Sequence, residues 1–202
     1  MSSLARRTAH ERGVTLIEVL VSMLIMALGM VSLAALQGYT VRYQLGSAQR
    51  AQLAGLLSDY AERVRANLVQ APGAVAASAY LVSDNWTRQA GRDTPTSTKD
   101  CVTSVCSGSE VAQYDMAQWR RAVRHELPQG SVMVSGSASS GLTVTFMWRD
   151  KEYTSGTGAS LLTRSATQCE SATLTGSDQQ TCCPSAAAAP EGVRCANFTV
   201  IP

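Results

Sequence analysis

Arg12-Gly13-Val14-Thr15-Leu16-Ile17-Glu18-Val19-Leu20 opens the stretch on which the architecture turns. From Val19 to Leu36 the chain stays apolar or small for 18 residues, VLVSMLIMALGMVSLAAL. As a helix rising about 1.5 Å per residue, this run spans roughly 27 Å, close to the hydrocarbon thickness of a bilayer. Between Gly13 and Val41 there is no lysine or arginine, and Glu18 is the only charged residue. Arg6, Arg7 and Arg12 precede the run, so the positive-inside rule keeps the N-terminus in the cytoplasm and sends the rest of the chain across.

Three accounts of this segment compete. An ordinary secretory signal needs a shorter apolar region and a small-x-small cleavage site. Ser32-Leu33-Ala34 offers one, and cleavage after Ala34 would release a periplasmic binding domain. A plain signal anchor would keep the helix and all the residues before it. Neither explains Glu18, since a carboxylate in a membrane span costs about 2.5–3.5 kcal/mol near the bilayer centre and less near its edge. An ionisable group there is functional by default, and its partner must be named.

The third account rests on a resemblance. Residues 12–20 resemble the type III signal of type IV prepilins and pseudopilins: a basic leader, a glycine, TLIEVL and an apolar helix, in that order. The resemblance implies that a prepilin peptidase cuts after Gly13 and that the new first residue, Val14, is N-methylated. Mature chains of the family usually begin with phenylalanine; this one would begin with valine. It also gives Glu18 a partner. Cleavage exposes an α-amine at Val14, and a carboxylate one helical turn on can neutralise that amine, or a neighbouring subunit's, in a medium that punishes lone charge. Simple snorkelling of Glu18 to the interface is the bland alternative.

Helical periodicity continues past Leu36. Leu45, Leu53, Leu56, Leu57, Tyr60, Val64 and Leu68 recur at steps of three, four or their sums, with Asp59, Glu62, Arg63 and Arg65 mostly between them. This pattern predicts an amphipathic extension to about Asn67, making one element of about 54 residues from Val14, roughly 80 Å long. Gly29, Gly38 and Gly46 mark possible bends, and Pro72-Gly73 ends the helix. The expected organisation is a leader at 1–13, a membrane and assembly helix at 14–40, an amphipathic half at 41–70, and a globular domain at 71–202.

Residues 71–110 read as a loop-rich connector, broken only by the short patch Tyr80-Leu81-Val82. A second helix is predicted from Glu110 to Leu127, with Val111, Tyr114, Met116, Trp119, Val123 and Leu127 on its stripe and Pro128 and Gly130 closing it. Strands are expected at Ser131–Ser135 and Leu142–Asp150, the latter half-buried because Leu142, Val144, Phe146 and Trp148 alternate with Thr143, Thr145 and Met147. Lys151–Tyr153 would extend that ladder, residues 155–192 read as loop, and Val193–Ile201 as a final strand. The run Glu110 to Arg121 together with Leu127-Pro128-Gln129-Gly130 is similar to a D-xxx-W…LP-x-G block of the minor pilin PilV family, the type IV pilus modification proteins. Pseudopilins of type II secretion share the N-terminal signal and fit this middle block less well.

Charge and cysteines bound the remaining chemistry. Of the 17 basic and 15 acidic side chains, three and one lie in the first thirteen residues, which leaves 14 of each sign. A neutral mature domain gives no general grip on nucleic acid, and DNA is not expected as a partner. All six cysteines lie beyond Asp100, which fits maturation in an oxidising compartment. Cys101 and Cys106 are close enough for a local disulfide. Cys169, Cys182, Cys183 and Cys195 supply two more, and the preferred arrangement gives Cys169 and Cys195 one each of the vicinal pair, among fifteen connectivities that six cysteines permit. Zinc is a poor rival without a CxxC, with His125 alone in the mature chain.

No nucleophile elbow, HExxH, Walker or dinucleotide pattern appears, and His125 lies about three helical turns from Asp115, so no enzyme and no cofactor are expected. Arg120, Arg121 and Arg124 form a basic cluster that would meet phosphate, an acidic partner or only solvent. Trp86, Trp119 and Trp148 read as core rather than ligand platforms. The expected fold is α+β and type IV pilin-like: a long N-terminal helix packed on a small antiparallel sheet with disulfide-stapled loops. The resemblance implies a single-pass inner-membrane subunit that enters a pilus. Its partners would be the prepilin peptidase, other minor pilins and the major pilin, with twitching motility and adhesion downstream.

Overall fold

Thr15 is the last residue before a long helix, and its carbonyl accepts the amides of Glu18 (3.0 Å) and Val19 (3.3 Å). That helix, α1, runs Leu16–Ala66 without interruption through Gly29, Gly38 and Gly46. The computed structural model describes residues 13, 15–90, 95–150, 168–170 and 174–202, except the side chains of 42, 43, 45–47 and 49. Val14, the leader before Gly13, and the expected strand extension at Lys151–Tyr153 lie outside the described residues, as does most of the expected loop from 155. The chain divides into two units, Met1–Ala48 and Gln49–Pro202.

In the first unit the described part of α1 is exposed at every position, from Leu16 (88%) to Val41 (53%). Burying a Val, Leu, Ile, Phe or Met side chain yields about 1.5–3 kcal/mol, so leaving this whole set in water would cost on the order of tens of kcal/mol. The helix is long and apolar enough to cross a membrane over Leu16–Val41. Ser22, Ser32 and Thr40 do not break that character, because each hydroxyl donates to the carbonyl four residues earlier.

The second unit is an α+β fold built around the last turns of α1. After α1 come a 3-10 turn at Leu68–Gln70, α2 (Trp86–Ala90) and α3 (Gly108–Glu126). Then follow β1 (Ser131–Ser137), β2 (Gly141–Arg149), α4 (Ser177–Thr181), a 3-10 turn at Ser185–Ala187, and β3 (Val193–Val200). The three strands form one antiparallel sheet in the order β1-β2-β3. The register sets Val132 opposite Phe146 and Val134 opposite Val144, with Ala196 and Phe198 next to Phe146 and Val144 on the other side. One face therefore carries Val132, Val134, Leu142, Val144, Phe146 and Trp148, and this face packs with Leu53, Leu56, Tyr60 and Val64 of α1 and with α3 in one core.

β2 corrects the expectation of a half-buried strand. Its second face is covered too: Met147 sits with Trp86, Cys183, Ala187, Val193 and Cys195 in a separate buried cluster. Alternation in the sequence reports polarity, and Thr145 is buried despite being polar because its hydroxyl donates to Asn197 Oδ1 at 2.7 Å. The connector 71–110 is also less irregular than expected. It holds α2, and Val82 pairs with Val134 as an isolated antiparallel bridge.

α3 is locked at both ends. Ser107 and Glu110 make a capping box, with the Ser107 amide donating to Glu110 Oε2 at 2.7 Å. Lys99 Nζ lies 3.1 Å from both carboxylate oxygens of Glu110. At the other end Leu127 is buried, its amide donates to Val123 O, and the Gly130 amide donates to Leu127 O at 2.8 Å. A Cβ on Gly130 would strike the Val123 carbonyl, so only glycine lets the chain turn this tightly into β1.

Candidate functional site

Three features carry the chemistry expected from the sequence: the head of α1, the arginine cluster of α3, and the cystines. At the head of α1, Gly13, Thr15 and Glu18 are exposed. Glu18 lies in the first turn of the helix, where the unpaired amides and the helix dipole favour negative charge. Val14, the residue expected to carry the new α-amine, lies outside the described residues. Every described residue from Leu16 to Val41 other than Glu18 is uncharged at neutral pH, so the carboxylate is the one charged side chain along this exposed, largely apolar stretch.

The core behind α1 explains the middle block. Trp119 is fully buried and its indole Nε1 donates to Leu56 O at 2.8 Å. Its ring lies 4.8 Å from Tyr60 and 5.9 Å from Phe146, and Phe146 lies 6.0 Å from Phe198, so aromatic contacts run from α1 through α3 into β2 and β3. Asp115 accepts from Tyr80 Oη at 2.9 Å and from Arg63 Nη1 at 3.2 Å. Tyr80 Oη also lies 3.2 Å from Arg63 O, and Tyr60 Oη donates to Tyr80 O at 3.1 Å. Burial pushes both phenols well above the usual tyrosine range, so both stay protonated donors. Thus the aspartate and tryptophan of the block are packing and fastening residues, and Leu127 to Gly130 is the turn that ends the helix.

The arginine cluster is engaged with the chain itself. Arg120 Nη2 lies 3.4 Å from Gln89 Oε1 and 3.7 Å from Asp84 Oδ2. Arg121 Nε donates to Pro95 O at 2.7 Å, and Arg124 Nη2 donates to Gln89 O. All three guanidinium groups thus reach back to the segment 84–95. Gln89, 2% exposed, is a residue that the sequence did not single out. Nothing in its local pattern marks it, because its partner Val132 is 43 residues away.

The cystines join Cys101 to Cys106, Cys169 to Cys182 and Cys183 to Cys195. The first closes a short loop beside the cap of α3. The second joins Cys169 to the segment that carries Cys182, and the third ties that segment to β3 on the second face of the sheet. Asn197 on β3 completes the attachment, its Nδ2 donating to Cys182 O (2.8 Å) and Gln179 O (3.1 Å). His125 is exposed at the end of α3 with Glu126 Oε1 3.3 Å away. Asp115, the carboxylate weighed as its partner, is committed to Tyr80 and Arg63. Among the described residues no group of three or more His, Cys, Asp or Glu side chains is placed to hold a metal ion.

Residues 8–34 match the family model of the prokaryotic N-terminal methylation motif. No curated protein and no solved structure matches the chain. The match spans the residues just before Gly13, the Gly13–Val14 junction, Glu18 and all but the last two residues of the apolar run Val19–Leu36. The chain thus carries, at the head of a helix long and apolar enough to anchor it in a membrane, the methylation motif of the type IV pilin and pseudopilin class.

Proposed function

We propose that this chain is a minor type IV pilin, most similar in its middle block to the PilV family, that takes part in pilus assembly as part of a priming or tip complex. A prepilin peptidase removes residues 1–13, and Val14 becomes the N-methylated first residue. Before assembly the subunit is held in the inner membrane by α1, with the disulfide-bonded unit on the periplasmic side. During assembly α1 leaves the lipid for the apolar helices of the major pilin and other minor pilins. Glu18 neutralises a subunit α-amine inside that bundle, and twitching motility and adhesion are its downstream roles.

One observation carries this reading. The methylation motif heads a helix whose first half is apolar and exposed throughout, whereas its last turns are core of the folded unit. Such a helix needs an apolar medium for one half only, which lipid and a helical fibre both supply. The D-xxx-W…LP-x-G block favours the pilin over a type II secretion pseudopilin, which carries the same N-terminal motif.

Intact mass of the unreduced chain from its native membrane tests the reading. The expected value is that of residues 14–202 plus one methyl group and minus the six hydrogens of three disulfides. A chain beginning at Ala35 would overturn it in favour of a secreted domain, and an uncut chain would leave only an anchor. For the carboxylate, Glu18→Ala is expected to be processed and yet absent from sheared fibres. Normal entry into fibres would remove the pairing role, because an unpaired buried amine typically costs about 3–5 kcal/mol.

A further inference from the structure

An outermost strand presents a row of unpaired amides and carbonyls to any extended chain that comes near. On β1 two residues with such outward groups are Val132 and Val134, and both are occupied by one segment of the same chain. Val82 N donates to Val134 O (3.2 Å) and Val134 N to Val82 O (2.9 Å), which is a strand pairing one residue long. Farther along the edge, the work is done by a side chain. Gln89 Oε1 accepts from Val132 N at 3.2 Å and Gln89 Nε2 donates to Val132 O at 2.9 Å. The carboxamide thus copies the donor and acceptor of a paired strand residue.

The remaining hydrogen-bonding capacity of Gln89 is filled from behind. Nε2 also donates to Asp84 O at 2.5 Å, and Oε1 also accepts from Arg120. Its backbone carbonyl accepts from Arg124, and Asp84 pairs with Arg120. The segment is fixed on both sides of the sheet as well. Val82 belongs to the core of the α1 face and Trp86 to the cluster on the opposite face, so 82–90 wraps the edge from one face to the other.

We propose that segment 82–90 is an edge guard that closes β1 against strand addition by a second copy of this chain, with Arg120 and Arg124 as the positioning residues that hold Gln89 in place. A second copy is the specific competitor because its own 82–90 segment carries the donors, acceptors and apolar anchors that fit this edge. Exchange of an identical element is a low-cost route to a dimer. The arginine cluster then serves an intramolecular purpose, and β1, with valines at alternate positions, is kept from pairing with neighbouring copies.

The test compares the wild-type full chain with Gln89→Ala, Gln89→Glu and Arg124→Ala in the same detergent micelles. Backbone hydrogen exchange of β1 and sedimentation at several protein concentrations are the two readouts. In Gln89→Ala the Val132 amide is expected to exchange about tenfold faster or more, with β2 unchanged, and a dimer is expected to grow with concentration beyond that of wild type. Gln89→Glu keeps the acceptor and the arginine contacts and loses the donor, so its exchange should fall between the two. A merely space-filling Gln89 would make Gln89→Glu match wild type. If Gln89→Ala does not fold, Arg124→Ala is read by the same criteria. Unchanged Val132 exchange in these variants, or faster exchange with wild-type sedimentation throughout, overturns the proposal.

Discussion

Removing the Trp119 indole should cost more than any other single truncation in the seam between α1 and α3. The ring is fully buried, touches Tyr60 and Phe146 at 4.8 and 5.9 Å, and donates to Leu56 O at 2.8 Å. Trp→Ala in a packed core costs about 3–5 kcal/mol, and the lost rings and hydrogen bond place this site at the upper end. Trp119→Phe keeps one ring and loses the donor and part of the volume, so about 2 kcal/mol is expected. With a urea dependence of about 2 kcal/mol per molar, the midpoint should fall by about 2 M for alanine and about 1 M for phenylalanine. Pulse proteolysis in urea suits the full chain in micelles, because it reads opening of the globular unit whatever the membrane helix does. An alanine shift below about 0.5 M, or a phenylalanine shift equal to the alanine one, would refute the claim that this indole and its hydrogen bond organise the core.

Other expectations follow from single contacts. The Ser107 amide, the Lys99 ammonium and the Ser107 hydroxyl, in that order, hold the Glu110 carboxyl below the usual carboxylate range. Its contribution is therefore present at neutral pH and lost as pH falls through that lowered value. The urea midpoints of wild type and Glu110→Gln should differ at pH 7 and draw together only as the pH falls from the ordinary carboxylate range through that lowered value. Gly130→Ala drives a Cβ into the Val123 carbonyl and should lower stability by about 1–3 kcal/mol, read from the same midpoint. Replacing Cys183 and Cys195 together with alanine opens a 12-residue closure and should cost about 3 kcal/mol. The loss should appear as early proteolysis around Ala187 and Met147, which lie in the cluster this bond closes.

Much of this protein is written locally. The apolar run, Glu18 five residues past Gly13, the amphipathic turns from Leu53 to Val64 and the bounded stripe of α3 are near-neighbour patterns, so periodicity and caps sufficed to place them. The three strands were legible within one or two residues at their ends for the same reason. What escaped depends on contacts between distant residues. The sequence presents Arg120, Arg121 and Arg124 as a surface cluster, because their partners at 84–95 are some 30 residues away in a segment without periodicity. Gln89 looks like any polar loop residue until the fold sets its amide against Val132. Alternation along β2 implies a solvent face that only the cystine-held 182–187 region and Trp86 turn into interior. By itself the sequence determined where the chain is apolar, where its long helix begins and which carboxylate stands at its head, since these are properties of consecutive residues. Tertiary structure decided which polar groups are spent inside the molecule, because a hydrogen bond or a buried face belongs to two segments at once.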